Sequence, residues 1–203
     1  MLWLERRMIN YQISNDPTIL FVGINPHPGS HRRGVPFSNN KMFWYLLNRA
    51  GLLNERESDL KNDASLRRIY EDKFAPEYGL NFVNLVDRPT AEVTELIKGE
   101  EQAGVSRALK IIRTRRPKVV CFIGKVTFNK FYGSRECHFG WQPGIQKTRV
   151  YLMHFPIRGL ASIRVKELKE VKRAAELGAL DDKLALTNGS TRCGKLISSD
   201  PCF

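Results

Sequence analysis

The chain has 203 residues, 42% of them hydrophobic, which fits one domain with a real core. Lys and Arg number 33 against 21 Asp and Glu; the formal charge of +12 points to a polyanionic partner, nucleic acid first, over a basic protein without one. No apolar run approaches membrane-spanning length, the opening MLWLERR does not read as a signal peptide, and Cys121, Cys137, Cys193 and Cys202 form no CxxC pair. The expectation is therefore no membrane and no disulfide framework, in a reducing intracellular compartment that is cytoplasmic and nucleoid-associated if the source is prokaryotic.

Residues 1–17 form a polar lead-in. Residues 19–22 (ILFV) have the length and composition of a fully buried strand, which stops at Gly23-Ile24-Asn25-Pro26. A loop with two His, two Arg and Pro36-Phe37 follows. Ser38-Asn39-Asn40 then offers an N-cap, and Phe43, Leu46, Leu47 and Ala50 recur at helical spacing up to Gly51. Between 54 and 74, Leu66, Ile69, Tyr70 and Phe74 keep a helical period in a charged context, the pattern of a surface helix. Residues 80–86 (LNFVNLV) read as the second strand, ending in Asp87-Arg88-Pro89-Thr90. A helix is expected over 100–115; the helix dipole accounts for much of the basic cluster in its last turn, and Pro117 closes it.

The third strand is 119–123 (VVCFI), with Cys121 a buried free thiol, and it ends at Gly124-Lys125 before a short helix over 126–132. Gly133, Gly140, Pro143 and Gly144 mark a loop or hairpin carrying Trp141. Residues 150–154 form the fourth strand, and the last helix runs from about 162 to 177 with Gly178 as its stop. Residues 181–203 read as a weakly ordered C-terminal tail beyond a domain spanning 1–180. Strands alternating with helices predict an α/β fold, parallel strands with helices on both faces.

The four strands end at Asn25, Asn84 to Arg88, Gly124-Lys125 and His154. In a parallel sheet these ends share one edge, and ligands bind outside it. Two amides, an Arg, a Lys and a His therefore converge on one crevice; the bland alternative is that each merely terminates its strand.

Gly23-Ile24-Asn25-Pro26, Pro36-Phe37, Phe43-Trp44, Leu85-Val86-Asp87-Arg88-Pro89-Thr90 and Ile123-Gly124-Lys125, in that order, resemble the landmarks of the mismatch-specific uracil/thymine DNA glycosylases, within the uracil-DNA glycosylase superfamily. The resemblance spans about 19–177. It implies a three-layer α/β/α domain with a central four-stranded parallel sheet. It also implies a monofunctional DNA glycosylase of base excision repair acting on double-stranded DNA that contains uracil or a mismatched or deaminated base. No metal or cofactor is expected, and the protein is expected to be a monomer.

By the same resemblance, Asn25 matches the residue that positions the attacking water; its alternative is a turn residue before Pro26. Phe37 matches the stacking aromatic, or is a core Phe on the loop. Gly23 and Ile24 would line the base pocket with backbone. Asn84 would read a uracil edge with one donor and one acceptor, or bond to backbone at the edge of the sheet. His154 would bond the base carbonyl, or is a satisfied strand-end His. The stretch from His154 to Ser162 departs from the family pattern. Within it Pro156 and Gly159-Leu160 still fit, which makes Leu160 a minor-groove wedge flanked by Arg158 and Gly159. Arg88, Lys125 and Ser162 are candidate phosphate contacts, with solvated surface as the alternative.

Competing chemistries fit poorly. Position 119, five residues before Gly124, is Val and not the Gly of a phosphate-binding loop. Pro28 and Gly29 between His27 and His31 argue against a helical metal pair, and Cys137-His138 lacks partners at ligand spacing. A non-catalytic lesion or nucleic-acid binder and a small-molecule nucleotide enzyme remain as the other readings.

Overall fold

The structure, a computed structural model, describes residues 8–133 and 136–189, with side chains described as far as Leu177. In chain order the elements are β1 (Ile19–Gly23), α1 (Pro28–Arg33), α2 (Met42–Arg49), α3 (Glu57–Lys61) and α4 (Asp63–Arg68), which runs on into a π-helical stretch Ile69–Phe74. Then come β2 (Leu80–Asn84), a 3-10 turn Val93–Glu95, α5 (Gln102–Arg115), β3 (Val119–Ile123), α6 (Lys125–Tyr132), β4 (Gly140–Ile145), β5 (Thr148–Met153) and α7 (Ala161–Gly189).

The sheet has five strands in the order β2-β1-β3-β5-β4. The first four are parallel, as expected, and β4 adds an antiparallel edge to β5. The expected four-stranded sheet is thus corrected to a mixed five-stranded one, the hairpin supplying the extra strand. Its GWQPGI sequence lacks the apolar run that marks the buried strands, because an edge strand with exposed positions does not need one.

Parallel strands are covered on both faces, so every residue of β1, β2 and β3 is buried. Alternate residues go to opposite layers. Ile19, Phe21, Cys121 and Met153 pack with Phe43, Trp44, Leu47 and Leu168. Leu20, Val22, Val120 and Phe122 pack with Ala108, Ile112, Phe128 and Phe131. Burial pushes the Cys121 thiol pKa up, so it stays protonated and inert.

Three local expectations change. His27-Pro28-Gly29, read as loop, begins α1: Pro28 sits in the first turn, where no amide partner is needed, and His27 Nδ1 accepts from the Gly29 amide at 3.1 Å. The 54–74 helix is two short helices and a π-helical stretch, with its charged face exposed and its apolar face turned to the core. Leu60, Leu66, Ile69, Tyr70 and Phe74 are buried, with Trp44 5.2 Å from Phe74. Helix α7 continues through Gly178 to Gly189, because a single Gly lowers helicity without forbidding it. The expected tail lies, from 190 onward, outside the described residues.

Candidate active site

The carboxyl ends of β1, β2, β3 and β5 open into a cavity of about 500 Å³. Its walls come from Gly23 to Pro26, Pro36-Phe37, Asn84, Thr90 to Val93, Ile123 to Val126, Phe139, Phe155 and Ile157-Arg158. The volume lies in the range of small-molecule sites, roughly 300–1,000 Å³. The position is the switch point of the sheet, where the chain goes from β1 to β2 on one side and returns to β3 on the other.

Past the strands, the chain segments after β1 and β2 stay zipped. Leu85 N donates to Gly23 O at 3.0 Å, Val86 N to Ile24 O at 2.8 Å and Thr90 N to Pro26 O at 3.1 Å. Both carbonyls in the expected base-reading pair are therefore engaged in holding the loops. Gly23 is required for a different reason: a Cβ there would lie 2.4 Å from Asn84 Oδ1 and 2.9 Å from Phe82 Cζ. Its bareness lets the Asn84 amide lie against β1. Asn84 is buried and lines the cavity. Arg107 donates to its carbonyl oxygen at 2.7 Å and grips Asp87 with both terminal nitrogens at 2.7 and 2.8 Å.

Asn25 is the best-defined polar group in the cavity. Its Nδ2 lies 2.7 Å from Thr90 Oγ1 and 3.2 Å from Pro26 O. The neighbours fix which end of the amide is which. Pro26 O can only accept, and Thr90 Oγ1 spends its proton on Glu92 O at 2.8 Å. The NH2 must therefore face Thr90, which leaves Oδ1 as a free acceptor: among the described residues no donor reaches it.

Phe37 sits at φ +54°, a left-handed conformation that costs a bulky residue about 1–2 kcal/mol. Such an outlier persists only where its surroundings hold it. Trp44 Nε1 donates to Pro36 O at 2.8 Å, and Ser38 N returns to Val35 O at 3.4 Å. The ring meets Phe43 at 4.8 Å, Phe82 edge-on at 5.7 Å and Phe155 at 6.0 Å. Phe37 thus rests on the core and also lines the cavity.

His154 follows β5 at the edge of the site. It is not among the cavity-lining residues. Its Nδ1 is 2.5 Å from Glu167 Oε1, its amide donates to Glu167 Oε2 at 3.2 Å, and its ring stacks on Phe139 at 3.4 Å. This is the geometry of a satisfied strand-end His. The following loop is pinned from below by the buried Arg164, which donates to Phe155 O at 3.4 Å and Leu160 O at 2.9 Å. Gly159 crosses directly over that guanidinium. Leu160 is 68% exposed, with Ile157 and Ile163 exposed beside it.

Of the three candidate phosphate contacts, Lys125 lines the cavity and lies 5.1 Å from the Phe139 ring centre. Ser162 is exposed in the first turn of α7, outside the cavity lining. Arg88 is committed elsewhere, bound through Nε and NH2 to Glu100 at 2.6 and 2.9 Å. That hydrogen bond holds the Glu100 carboxyl pKa down to about 2, so the pair stays charged as pH falls through the ordinary carboxylate range.

Sequence reasoning missed Phe82, Thr90, Phe139, Phe155, Arg164 and Glu167. Thr90 stood inside a quoted motif, yet its contact with Asn25, 65 residues away, had no local signal. Among the described residues no three His, Cys, Asp or Glu side chains are grouped to hold a metal ion. The family described as the uracil DNA glycosylase superfamily matches this chain over residues 11–176.

Proposed function

This chain belongs to the uracil DNA glycosylase superfamily, whose members are DNA glycosylases that hydrolyse N-glycosyl bonds. On that premise we propose that it is a monofunctional enzyme of the mismatch-specific uracil/thymine type, excising uracil or a related deaminated or mismatched base from double-stranded DNA. The observation that carries the proposal is the Asn25 amide, tied through Nδ2 to Thr90 with Oδ1 left to the cavity.

The base leaves the duplex and enters the cavity, where it stacks on Phe37 and meets the Asn84 amide along its edge. Asn25 Oδ1 accepts a hydrogen bond from a water and aims it at C1′ of the sugar. An amide oxygen is too weak a base to deprotonate that water. The C1′–N bond must therefore loosen first, its electron pair going to the base and leaving an oxocarbenium-like sugar. The water oxygen then bonds to C1′, and the proton it sheds ends on the departing base or in solvent. Leu160, exposed on a loop that Arg164 braces, fills the gap left in the stack, and Lys125 and Arg158 take phosphate contacts.

Alkali cleavage of end-labelled duplexes tests the reading. The panel places uracil opposite guanine and adenine, thymine opposite guanine and hypoxanthine opposite thymine, beside single-stranded uracil. Cleavage at a modified position in duplex is expected, with uracil opposite guanine among the substrates. No alkali-labile site on any of them would refute the proposal.

Two substitutions probe the parts. Thr90→Val keeps the shape and removes the acceptor that orients Asn25. The single-turnover rate should fall by about 10- to 100-fold, as expected when a reacting group is misplaced by an ångström or less, with little change in duplex affinity. Asn84→Ala removes the edge contact to the base, worth about 1–3 kcal/mol. Its kcat/KM on uracil should drop roughly 10- to 100-fold with selectivity among bases relaxed; unchanged selectivity across the panel would show that Asn84 does not read the base.

A further inference from the structure

The charge excess is not concentrated at the cavity. Lys125 and Arg158 line it, but Arg88 and Arg107 are taken by Glu100 and Asp87, and the lining also includes Glu92. Elsewhere Arg33, Lys41, Arg56, Lys61, Arg67, Lys73 and Lys130 are also paired with carboxylates.

A group of cations without carboxylate partners stands at the other edge of the sheet. Helix α5 descends from the carboxyl edge and delivers Lys110, Arg113, Arg115 and Arg116 to the amino edge, where β3 starts. The β4–β5 turn brings Lys147 and Arg149 to the same edge: Arg149 is the register partner of Val119, and its amide donates to Lys118 O at 3.1 Å. All six side chains belong to exposed residues. Arg115 bonds to Asn15, and among the described residues no carboxylate forms an ion pair with any of the six. The helix dipole accounts for cations at the end of α5, but not for the two that the hairpin adds from more than 30 residues away. The segments 110–118 and 146–149 contain no Asp or Glu, and Asp16 stands on the neighbouring lead-in, next to the Asn15 that Arg115 holds.

We propose that this amino-edge surface is a second nucleic-acid site that binds the phosphate backbone of a DNA segment other than the one seated on the cavity. Four of its six cations are Arg, whose planar fork suits phosphate oxygens. Strands of five residues at about 3.3 Å per residue separate the two edges by roughly 15 Å or more, and the surfaces face apart. A straight duplex on the cavity therefore does not reach the patch. The chain would hold two duplex segments at once, independently of any chemistry at the cavity.

The probe is a short undamaged duplex titrated into the full chain at low salt, with stoichiometry read by calorimetry and affinity followed against salt. The wild type should bind two duplexes. Arg113→Ser with Lys147→Ser and Arg149→Ser should bind one, with the salt slope reduced in magnitude by about 2–3. Arg113→Lys with Arg149→Lys keeps the charge and should keep two, which separates lost charge from lost fold. Base release from a short uracil-containing duplex should stay within about twofold in the Ser variant, since phosphate contacts at a separate site set binding and not chemistry. One duplex per wild-type chain, or identical stoichiometry and slope in the Ser variant, would overturn the inference. Two-duplex binding without base release would keep it and sink the glycosylase proposal instead.

Discussion

Asn25→Ala is expected to lower the single-turnover rate of base release by about 10²- to 10⁴-fold, the range of a positioned group acting on the attacking species. Affinity for a uracil-containing duplex should change little. The asymmetry follows from what Asn25 touches. Its Nδ2 faces Thr90 and Pro26 inside the protein, and only Oδ1 is left for a water. Removing the amide deletes the acceptor that aims the nucleophile, while Phe37, Asn84 and the Leu160 loop remain in place to hold the flipped base. Asn25→Asp separates position from chemistry. A carboxylate can still orient water, but it loses the NH2 donated to Thr90 and would face Pro26 O and Thr90 O with acceptors only. The Asp variant should therefore fall between wild type and Ala, and rapid-quench measurement of alkali-labile sites against time distinguishes all three. Equal loss of binding and turnover in the Ala variant would mean that Asn25 holds the fold of the loop instead of the water.

The largest stability effect is expected at Gly104, in the first turn of α5. A Cβ there would sit 1.8 Å from Leu85 O, 2.4 Å from Leu85 C and 2.6 Å from Leu85 Cα. All three are backbone atoms, so no side chain can swing aside. Leu85 itself is fixed by its bond to Gly23 O. Gly104→Ala must push α5 off the Leu85 backbone or break the zipped loops beneath the cavity. Overpacking costs about 1–3 kcal/mol, and a clash with backbone this close lies at or above the top of that range, against about 1 kcal/mol gained from the better helix former. A net loss of about 2 kcal/mol or more is expected, a Tm lower by roughly 4–10 °C for a chain of this size. Ser106→Ala, exposed on the same helix, should stay within about 0.5 kcal/mol and serves as the control. Thermal unfolding of the two variants side by side decides the matter. A neutral Gly104→Ala would show that α5 is not seated on the Leu85 backbone as described.

Both effects bear on how far the sequence could be read. The buried strands were legible because each is a short apolar run that both layers cover, and their polar ends alone pointed to one edge. The resemblance singled out Asn25 and Phe37, and both line the cavity. What escaped was non-local or ran against composition. Strand β4 was half legible: Gly140, Pro143 and Gly144 suggest a loop or hairpin, and the antiparallel pairing with β5 makes it the hairpin. Helix α1 was hidden by a Pro that its first turn accommodates. Gly104 looks like an ordinary weak point in a helix until the carbonyl of Leu85 is found beneath it. The contacts of Thr90 with Asn25 and of Glu167 with His154 depend on elements that only the folded sheet brings together. The last of these bears most on the site, since it ties His154 to α7 while its ring stacks on the cavity-lining Phe139.

The central claim is hydrolysis of the glycosidic bond by a water at Asn25. Its most direct test measures three quantities in one single-turnover reaction on a uracil–guanine duplex: free base released, alkali-labile sites formed, and adduct trapped by borohydride. The account predicts free uracil equal to alkali-labile sites, strands intact until alkali is added, no trapped adduct, and all of it suppressed in Asn25→Ala. A borohydride-trapped protein–DNA adduct, or release that persists undiminished in Asn25→Ala, would contradict it.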